Sequence, residues 1–344
     1  MIGMYNEEVL RDGIPIEKGI VLSRDWLDSN AELNKAWLNH WLLYPDLFLD
    51  SIQSVEDKYF HLMFYQRIAL RACLRYRYHS WTATRATSKS FIAYLSAYLR
   101  CVFLPNTKQI VVSDVKGTVI QVAKQKFSEI WVHWPLLKNE LKERGKDGEQ
   151  GEKKGSDYYE LHFKNDSTLF VISKDTSRGL RATSAVIEES ATVDEISYNE
   201  VILPQMNVAR REVDGFLNPE EPNPSQTFIT TASSKTCFMY GKLIELAVMS
   251  VLRPKEYFVW GLDYRVPVKY GLLKKQQLDE QRFSSTMSED SFARESMSIW
   301  TGNSEEAWFD SNVLNRRRTL LKCERKAQEN PTNPNTFYIV AIKC

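Results

Sequence analysis

The sequence lacks an excess of charge of either sign, because 45 lysine and arginine residues nearly balance 44 aspartate and glutamate residues, for a formal net charge of +1. A protein that binds nucleic acid through overall positive charge is therefore excluded, although local basic patches are not. Paired cysteines are also missing, since the five cysteines lie far apart and form no C-x-x-C motif. Their spacing indicates a reducing compartment and excludes a disulfide framework or a zinc site.

Segments typical of secretion or membrane insertion are missing as well. The longest apolar stretch, 91–104, is interrupted by Arg100 and is too short to cross a bilayer. Residues 1–8 carry two acidic residues and no apolar core, which excludes a secretory signal. We therefore expect a soluble cytosolic protein, and 344 residues predict two domains or one large α/β domain with additions.

Alternating strand-like and helix-like segments predict the fold class. Residues 75–82 and 109–115 have the composition of strands, and amphipathic helical segments follow them over 90–104 and 118–132. A repeated strand–helix unit is typical of a parallel sheet with right-handed crossovers. Further strands are predicted over 184–187, 226–231 and 256–262, a hairpin over 158–173, and helices over 60–74, 238–251 and 270–328.

The segments outside this alternation are predicted from composition. Residues 26–60 favour helices interrupted at Pro45, with Trp26, Trp37 and Trp41 facing the core. The glycine-rich and charged stretch 145–156 favours a mobile surface loop.

Lys89 and Ser90 lie where a nucleoside triphosphate would bind, between the predicted strand 75–82 and the predicted helix 90–104. Such a turn points backbone N–H groups at phosphate oxygens, while a lysine and the next hydroxyl can reach the phosphates and Mg²⁺. The usual glycines are absent, because Ala83 and Ser88 stand at their positions. The alternative is a surface lysine in a helix-capping turn, with Ser88 as the N-cap.

Two acidic residues, Glu188 and Glu189, directly follow the predicted strand 184–187. Acids at this point could hold Mg²⁺ and orient an attacking water, or they could be solvated surface. Arg178 and Arg181 precede the same strand. They could neutralise charge at a γ-phosphate, solvate a strand edge or pair with a carboxylate.

The order of these segments, over about 40–310, resembles the ATPase half of the large terminase subunit, the DNA-packaging motor of tailed bacteriophages. Residues 85–90 (RATSKS) resemble its deviant Walker A phosphate loop, and 64–66 (FYQ) resemble its adenine-reading segment. Glu188 and Glu189 match its Walker B acid and catalytic carboxylate, and 230–233 (TTAS) resemble its coupling motif. No single one of these motifs is specific to the family. Together with the arginine at 178, and in this order along the chain, they are specific.

The resemblance implies a P-loop NTPase fold of the ASCE, RecA-like type: an α/β protein with a central, mainly parallel sheet flanked by helices and helical additions at both ends. It implies ATP and Mg²⁺ as cofactors. Nucleotide contacts are expected from eight residues: Gln66, Thr84, Arg85, Ala86, Thr87, Ser88, Lys89 and Ser90. Mg²⁺ is expected at Ser90 and Glu188, catalysis from Glu189, Arg85 and, across a subunit boundary, Arg178, and coupling through Thr230 and Thr231.

The resemblance implies four segments of the chain: an N-terminal helical extension (1–58), an ATPase core (59–268), a helical lid or linker (269–330), and a linker with the first strand of a truncated nuclease domain (331–344). In the resembling family that strand delivers a metal-binding aspartate. Here Lys343 stands at this point, so we expect no nuclease activity from these residues.

The implied function is ATP-driven translocation of viral double-stranded DNA into a procapsid. The implied partners are DNA, a portal protein, a small terminase subunit and further copies in a ring, expected to be a pentamer, with a monomer in dilute solution. The implied location is the host cytoplasm, transiently at the portal vertex. Candidate DNA contacts are Arg210, Arg211, Arg316, Arg317 and Arg318, for which solvated helix faces are the alternative.

Two other functions stay open. A helicase-like ATPase is disfavoured because 344 residues leave no room for a second motor domain. A nucleotide-binding assembly module without hydrolysis is favoured by the lack of glycine in the loop. If the turn requires a positive φ at Ala86, alanine there costs about 1 kcal/mol and weakens nucleotide binding.

Overall fold

The structure is a computed structural model of the chain. It describes residues 29–54, 57, 59–113, 119–143, 151–155, 158–173, 180–219, 221–222, 224–283 and 287–302. The described residues up to Thr301 form one compact unit. No helix among them is long and apolar enough to cross a membrane.

An eight-stranded mixed sheet organises this unit. Its strands are β1 (Tyr78–Ala83), β2 (Lys108–Ser113), β3 (Glu152–Lys154), β4 (Tyr158–His162), β5 (Thr168–Ser173), β6 (Ser184–Glu188), β7 (Ser225–Thr230) and β8 (Tyr257–Leu262). Their order across the sheet is β3-β4-β5-β2-β6-β7-β1-β8. Six strands that are consecutive in this order, β5-β2-β6-β7-β1-β8, pair in parallel. At the other edge, β3 and β4 pair antiparallel to each other and β4 pairs antiparallel to β5. The predicted α/β fold with a mainly parallel sheet is confirmed.

Helices cover both faces of the sheet. They are α1 (Ala31–Leu43), α2 (Pro45–Ser51), α3 (Phe64–Arg75), α4 (Lys89–Phe103), α5 (Val119–His133), α6 (Pro135–Lys138), α7 (Leu203–Gln205), α8 (Phe238–Leu252), α9 (Arg265–Lys269), α10 (Lys275–Arg282) and α11 (Glu289–Glu295). A π-helical segment, Ser197–Ile202, precedes α7. The predicted lid or linker over 269–330 thus contributes α10 and α11 to the described residues, and its remainder after residue 302 lies outside them.

Two hydrophobic cores lie on opposite faces of the sheet, because neighbouring residues of a strand point to opposite sides. Val111 and Val186 pack with helices α3, α4 and α5 in one core. Ile110 and Ile187 pack in the other core with the π-helical segment and α8. Every residue of β6 and β7 is buried, as expected for central strands of a parallel sheet with both faces covered.

The strand order determines where the functional residues can meet. β7 lies between β1 and β6, so the strand before Lys89 and the strand that ends at Glu188 are separated by one strand. Strands in a sheet are about 4.8 Å apart, which places β1 and β6 about 10 Å apart. A nucleoside triphosphate is long enough to bridge that distance.

The N-terminal segment matches the sequence-based prediction at Pro45 and departs from it at one tryptophan. Pro45 separates two helices, as predicted, and it is the first residue of the second one, α2, where its missing N–H and fixed φ are favourable. Trp37 is 37% exposed rather than core-facing, while Trp41 packs at the edge of a core. Trp26 lies outside the described residues.

The charged stretch 145–156 also contains more structure than predicted, because its residues Glu152–Lys154 form β3 against β4. Main-chain hydrogen bonding to β4 does not depend on apolar side chains, so a polar segment can join the sheet edge. Residues 144–150, 156 and 157 lie outside the described residues.

A buried carboxylate ties α2 to α3. Asp46, whose side chain is fully buried, accepts hydrogen bonds from Arg71 Nε at 2.6 Å and from Arg67 Nη1 at 3.2 Å. Burial by itself would raise the pKa of Asp46, but its hydrogen bonds with Arg71 and Arg67 hold the pKa below its ordinary value. Asp50 accepts from Arg67 as well, at 39% side-chain exposure.

Replacing Asp46 by asparagine should lower the free energy of unfolding by about 3 kcal/mol, because it leaves two arginines without their buried counter-ion. Asp50→Asn is the matched control, and an exposed pair should cost less than about 1 kcal/mol. Urea unfolding at neutral pH measures both. Because the folded-state pKa of Asp46 is depressed, its contribution should vanish as pH falls through that pKa. Equal losses for the two variants would contradict this assignment.

Candidate functional site

A cavity of about 700 Å³ opens at the carboxyl ends of the parallel strands. Residues 85–91, after β1, form its floor, and Glu189 and Thr231 reach it from the ends of β6 and β7. Its remaining lining comes from six residues: Phe60, Gln66, Lys126, Glu129, His133 and Glu295. The lysine and one of the two acids singled out in the sequence therefore face the same space.

The loop between β1 and α4 has the backbone of an anion-binding turn. Ala86 and Ser88 have positive φ values of 61° and 58°. Within the described part of the chain, the backbone N–H groups of Arg85, Ala86, Thr87 and Ser88 donate no hydrogen bond. Open N–H groups in such a turn, at the N-terminus of a fifteen-residue helix, are a favourable environment for phosphate oxygens.

Ser88 occupies the N-cap position of α4, but its side chain makes no capping hydrogen bond. The alternative considered from the sequence was a surface lysine in a helix-capping turn with Ser88 as the N-cap. The N-cap position is as that alternative has it, but the capping bond is missing and Lys89 is buried. The N–H groups of the first helical turn stay available to a ligand.

Two threonine hydroxyls shape the loop from within. Thr87 Oγ1 donates to the Thr84 carbonyl at 2.8 Å, and Thr84 Oγ1 donates to the Glu295 carbonyl at 2.7 Å. Both threonines are buried. Their side chains therefore hold the turn in shape, and a ligand would meet their backbone atoms.

Lys89 is 8% exposed, and its ammonium group joins three elements of the site. Nζ donates to the Ala83 carbonyl at 2.7 Å, to the Thr84 carbonyl at 3.0 Å and to Thr231 Oγ1 at 3.0 Å. Burial lowers the pKa of Lys89, against the opposing attraction of Glu189. The ammonium is thus placed between the phosphate loop and the end of β7.

Glu188 and Glu189 occupy different environments although they are adjacent. Glu188 ends β6 at 6% exposure, and burial raises its pKa while a hydrogen bond with the Ser90 side chain opposes that rise. Glu189 follows with a φ of 47°, a left-handed conformation that non-glycine residues rarely adopt, and lines the cavity. The turn separates a buried acid beside Ser90 from an acid that faces the open space.

The oxygen atoms of Ser90 and Glu188 are hard ligands of the kind that Mg²⁺ prefers. Mg²⁺ retains several waters and binds substrate phosphates, so it needs only one or two oxygen ligands from the protein. The residues present therefore fit a magnesium–nucleotide complex.

Thr230 and Thr231 connect the end of β7 to both neighbours. Thr230 Oγ1 accepts from the Ala191 N–H at 3.2 Å, two residues after Glu189, and donates to the Thr231 carbonyl at 2.9 Å. Thr231 Oγ1 accepts from Lys89. Hydrogen bonds through Thr231 and Thr230 thus connect Lys89 to the segment that follows Glu189.

Gln66 is positioned at the edge of the cavity by its own helix terminus. Its Oε1 accepts from the Met63 N–H at 2.8 Å, which fixes the side chain at 6% exposure. Arg85, by contrast, is exposed and pairs with Glu295 at 2.6 Å between Nε and Oε2.

Sequence reasoning missed six lining residues. Lys126, Glu129 and His133 lie on α5 at spacings of three and four, a helical stripe that could have been noticed, and Lys126 pairs with Glu129 at 2.9 Å. Phe60 stacks on His133 with ring centroids 3.5 Å apart. Phe91 lines the cavity from α4. Glu295 is more than 200 residues from Arg85, and no local pattern marks it.

The remaining candidates lie elsewhere. Arg210 is 3% exposed and its guanidinium binds the Glu221 carboxylate and the Pro105 carbonyl, so it is not at the surface as a DNA contact requires. Arg211 is exposed, and its Nη1 donates to the Gly215 carbonyl at 2.9 Å. Four predicted residues lie outside the described residues: Arg178, Arg316, Arg317 and Arg318.

Replacing Ala86 by glycine is expected to raise the free energy of unfolding by up to about 1 kcal/mol, because alanine is strained at positive φ and glycine is not. Asn106→Gly is the matched control, with a φ of 60° outside the cavity. Its gain should be smaller, because asparagine tolerates this conformation and because its Nδ2 donates to the Arg211 and Glu212 carbonyls. Urea unfolding compares the two variants, and a loss of stability in Ala86→Gly would show that the loop carries no strain at this residue.

No family model matches the sequence. No curated protein matches it either. Among solved structures, the large terminase ATPase domain of Thermus phage P74-26 aligns with a TM-score of 0.48 and 12% identity, over 68% of this chain and 93% of that chain. The large terminase of a second thermophilic bacteriophage aligns with a TM-score of 0.48 and 11% identity, over 70% of this chain and 53% of that chain.

The large terminase of bacteriophage HK97 aligns with a TM-score of 0.46 and 14% identity, over 73% of this chain and 50% of that chain. This chain therefore spans about half the length of the second thermophilic-phage protein and of the HK97 protein. Other structures of the second thermophilic-phage protein are complexes with ADP and with ATP-gamma-S. These solved structures come from the family that the sequence motifs resemble.

Proposed function

We propose that this chain is an ATP-hydrolysing motor that translocates viral double-stranded DNA into a procapsid. The observation that carries the ATPase part of the proposal is the convergence of Lys89, Glu189 and Thr231 on one cavity beside an open phosphate loop. Three adjacent parallel strands deliver these residues, so their meeting follows from the architecture of the sheet.

In this proposal the phosphate loop binds the β- and γ-phosphates of ATP through the N–H groups of 85–89. Lys89 releases the carbonyls of Ala83 and Thr84 and moves its ammonium group toward the phosphates, which offer a stronger, charged acceptor. Ser90 and Glu188 would hold Mg²⁺, which when bound neutralises phosphate charge. Glu188 is suited to this role because a bound cation offsets the cost of burying its charge.

Hydrolysis would then depend on residues that face the cavity. Glu189 orients the attacking water and accepts its proton. Arg85 contacts the phosphates from the same chain, and Arg178 would act across a subunit boundary on the γ-phosphate. Gln66 would recognise the adenine base, and Thr230 and Thr231 would transmit the phosphate state.

The DNA-translocating part of the proposal is supported by the ordered motifs that resemble those of large terminase subunits. A motor that moves any sequence must hold backbone phosphates without reading bases, so its DNA affinity should be modest and salt-sensitive. Double-stranded DNA, a portal protein, a small terminase subunit and a ring of copies, a pentamer, are the proposed partners. In dilute solution the proposed state is a monomer, and in the host cytoplasm the motor would act at the portal vertex.

Replacing Lys89 by alanine should abolish ATP binding and hydrolysis, because it removes the buried cation at the phosphate loop. Glu189→Gln should retain ATP binding but lower the hydrolysis rate by roughly 100-fold or more, because a glutamine cannot accept the proton from water. Steady-state phosphate release and binding of a fluorescent ATP analogue measure the two steps.

Lys124→Ala is the control, since Lys124 is exposed on α5 and lies outside the cavity lining. Its rate should equal that of the unmodified chain. Equal hydrolysis rates in all variants would reject the ATPase assignment. Binding that depends on Lys89 without any hydrolysis would favour the second candidate, a non-hydrolysing assembly module, which the strained, glycine-free loop makes worth testing.

Nucleotide binding should be confined to a narrower pH range than the ordinary pKa values of glutamate and lysine predict. Burial raises the pKa of Glu188, so Mg²⁺-dependent binding should weaken, as pH falls, before an ordinary glutamate would be protonated. Burial lowers the pKa of Lys89, so binding without Mg²⁺ should weaken, as pH rises, before an ordinary lysine loses its charge. Titrations with and without Mg²⁺ separate the two limbs, and an acidic limb that persists without Mg²⁺ would contradict the role of Glu188.

A further inference from the structure

The ion pair between Arg85 and Glu295 joins the phosphate loop to the end of α11. The Arg85 side chain is 81% exposed and that of Glu295 36% exposed. An ion pair this exposed contributes little to stability and is readily exchanged for a better partner. Thr84 Oγ1, which donates to the Glu295 carbonyl at 2.7 Å, adds a neutral second attachment at the same place.

The Glu295 carboxylate also adds negative charge to a cavity that is proposed to bind a polyanion. It lines the same space as Lys89 and Glu189, and it pairs with the residue expected to contact phosphates. Arg85 can satisfy Glu295 or a phosphate with the same donor, but not both at full strength. A triphosphate at the loop must therefore compete with Glu295 for Arg85.

The residues after Glu295 form a strap, 296–301, that runs from the phosphate loop to the segment after β7. The Ser296 carbonyl accepts from the Tyr264 N–H at 2.9 Å, and Ser298 Oγ donates to the Leu262 carbonyl at 2.5 Å. At the far end, the Thr301 carbonyl accepts from the Lys235 N–H at 2.7 Å. That contact is four residues beyond Thr231.

Helix α11 also contacts the far end of the strap directly. Arg294, in the last turn of α11, is 9% exposed, and its Nη1 donates to Thr301 Oγ1 at 3.1 Å. Glu295, at the end of α11, and Thr301, at the end of the strap, are therefore parts of one connected piece. A change at the phosphate loop can reach the segment after β7 through this piece, in addition to the contact between Lys89 and Thr231.

We propose that Glu295 is an autoinhibitory latch: it holds Arg85 until a nucleoside triphosphate takes that arginine, and its release loosens the strap at Tyr264 and Lys235. This inference rests on the proposed nucleotide site and adds its regulation. The partner that opens the latch is the γ-phosphate of a triphosphate, because a diphosphate offers less negative charge at the loop.

The test uses the whole chain with ATP-gamma-S and Mg²⁺ at low ionic strength. Glu295→Gln should bind ATP-gamma-S roughly two- to fivefold more tightly than the unmodified chain, and added salt should shrink the difference. Glu289→Gln, which changes an exposed acid at the other end of α11, should bind as the unmodified chain does. In an Arg85→Gln background, Glu295→Gln should give a smaller gain, because only the removal of a negative charge from the cavity then remains.

Hydrogen–deuterium exchange supplies a second readout. In the unmodified chain, ATP-gamma-S should speed exchange of the Tyr264 and Lys235 amides more than ADP does. In Glu295→Gln these amides should already exchange fast without nucleotide. Either result, unchanged affinity in Glu295→Gln or exchange at both amides that does not depend on nucleotide, would overturn the latch.

The failure of the latch and the failure of the proposed function give different results. If ATP-gamma-S binding is lost in Lys89→Ala but unaffected by Glu295→Gln, the nucleotide site stands and the latch is rejected. If the unmodified chain binds no nucleotide, or binds equally after Lys89→Ala, the proposed site is rejected and the latch with it.

Discussion

The parallel pairing of β6, β7 and β1 is the constraint on which the site depends. Carboxyl ends of adjacent parallel strands meet at one edge of a sheet, so the residues that follow them are neighbours in space however far apart they are in sequence. Lys89, Thr231 and Glu189 come together for this reason. Helices cover both faces of these strands, so every residue of β6 and β7 is buried, including polar ones such as Gln226 and Thr227.

Local strain accompanies this geometry. Ala86, Ser88 and Glu189 all have positive φ, and all three face the same cavity. Non-glycine residues in this region persist where the surrounding structure holds them, and they are frequent at functional sites. Here the buried hydroxyls of Thr84 and Thr87 and the ammonium of Lys89 supply the internal bonds that hold the turn. These side-chain hydrogen bonds stabilise a turn whose positive φ values are unfavourable for alanine and serine. Glycine would adopt the same turn without such bonds.

Much of the fold could be predicted from the sequence, because alternating strand and helix segments are typical of a parallel sheet. Five strands lie within a few residues of their predicted ranges: β1, β2, β6, β7 and β8. The polar strand β3 was missed because its stability comes from main-chain pairing. In the site, Lys89, Glu188 and Glu189 could be singled out because each lies at or after the end of a strand that the composition of the sequence predicts. The pairing of Arg85 with Glu295 could not, because long-range packing leaves no trace in local spacing.

The strap also bears on how freely this protein can diverge in sequence. Its bonds at Tyr264, Lys235 and Ser233 run between main-chain atoms, which every residue type except proline on the donor side supplies. The side chains of Met297 and Ile299 can therefore vary with little effect on these attachments, whereas Ser298 and Thr301 also bind through their hydroxyl groups. Arg85 and Glu295 have no such latitude, because their contact exists only through their charged groups.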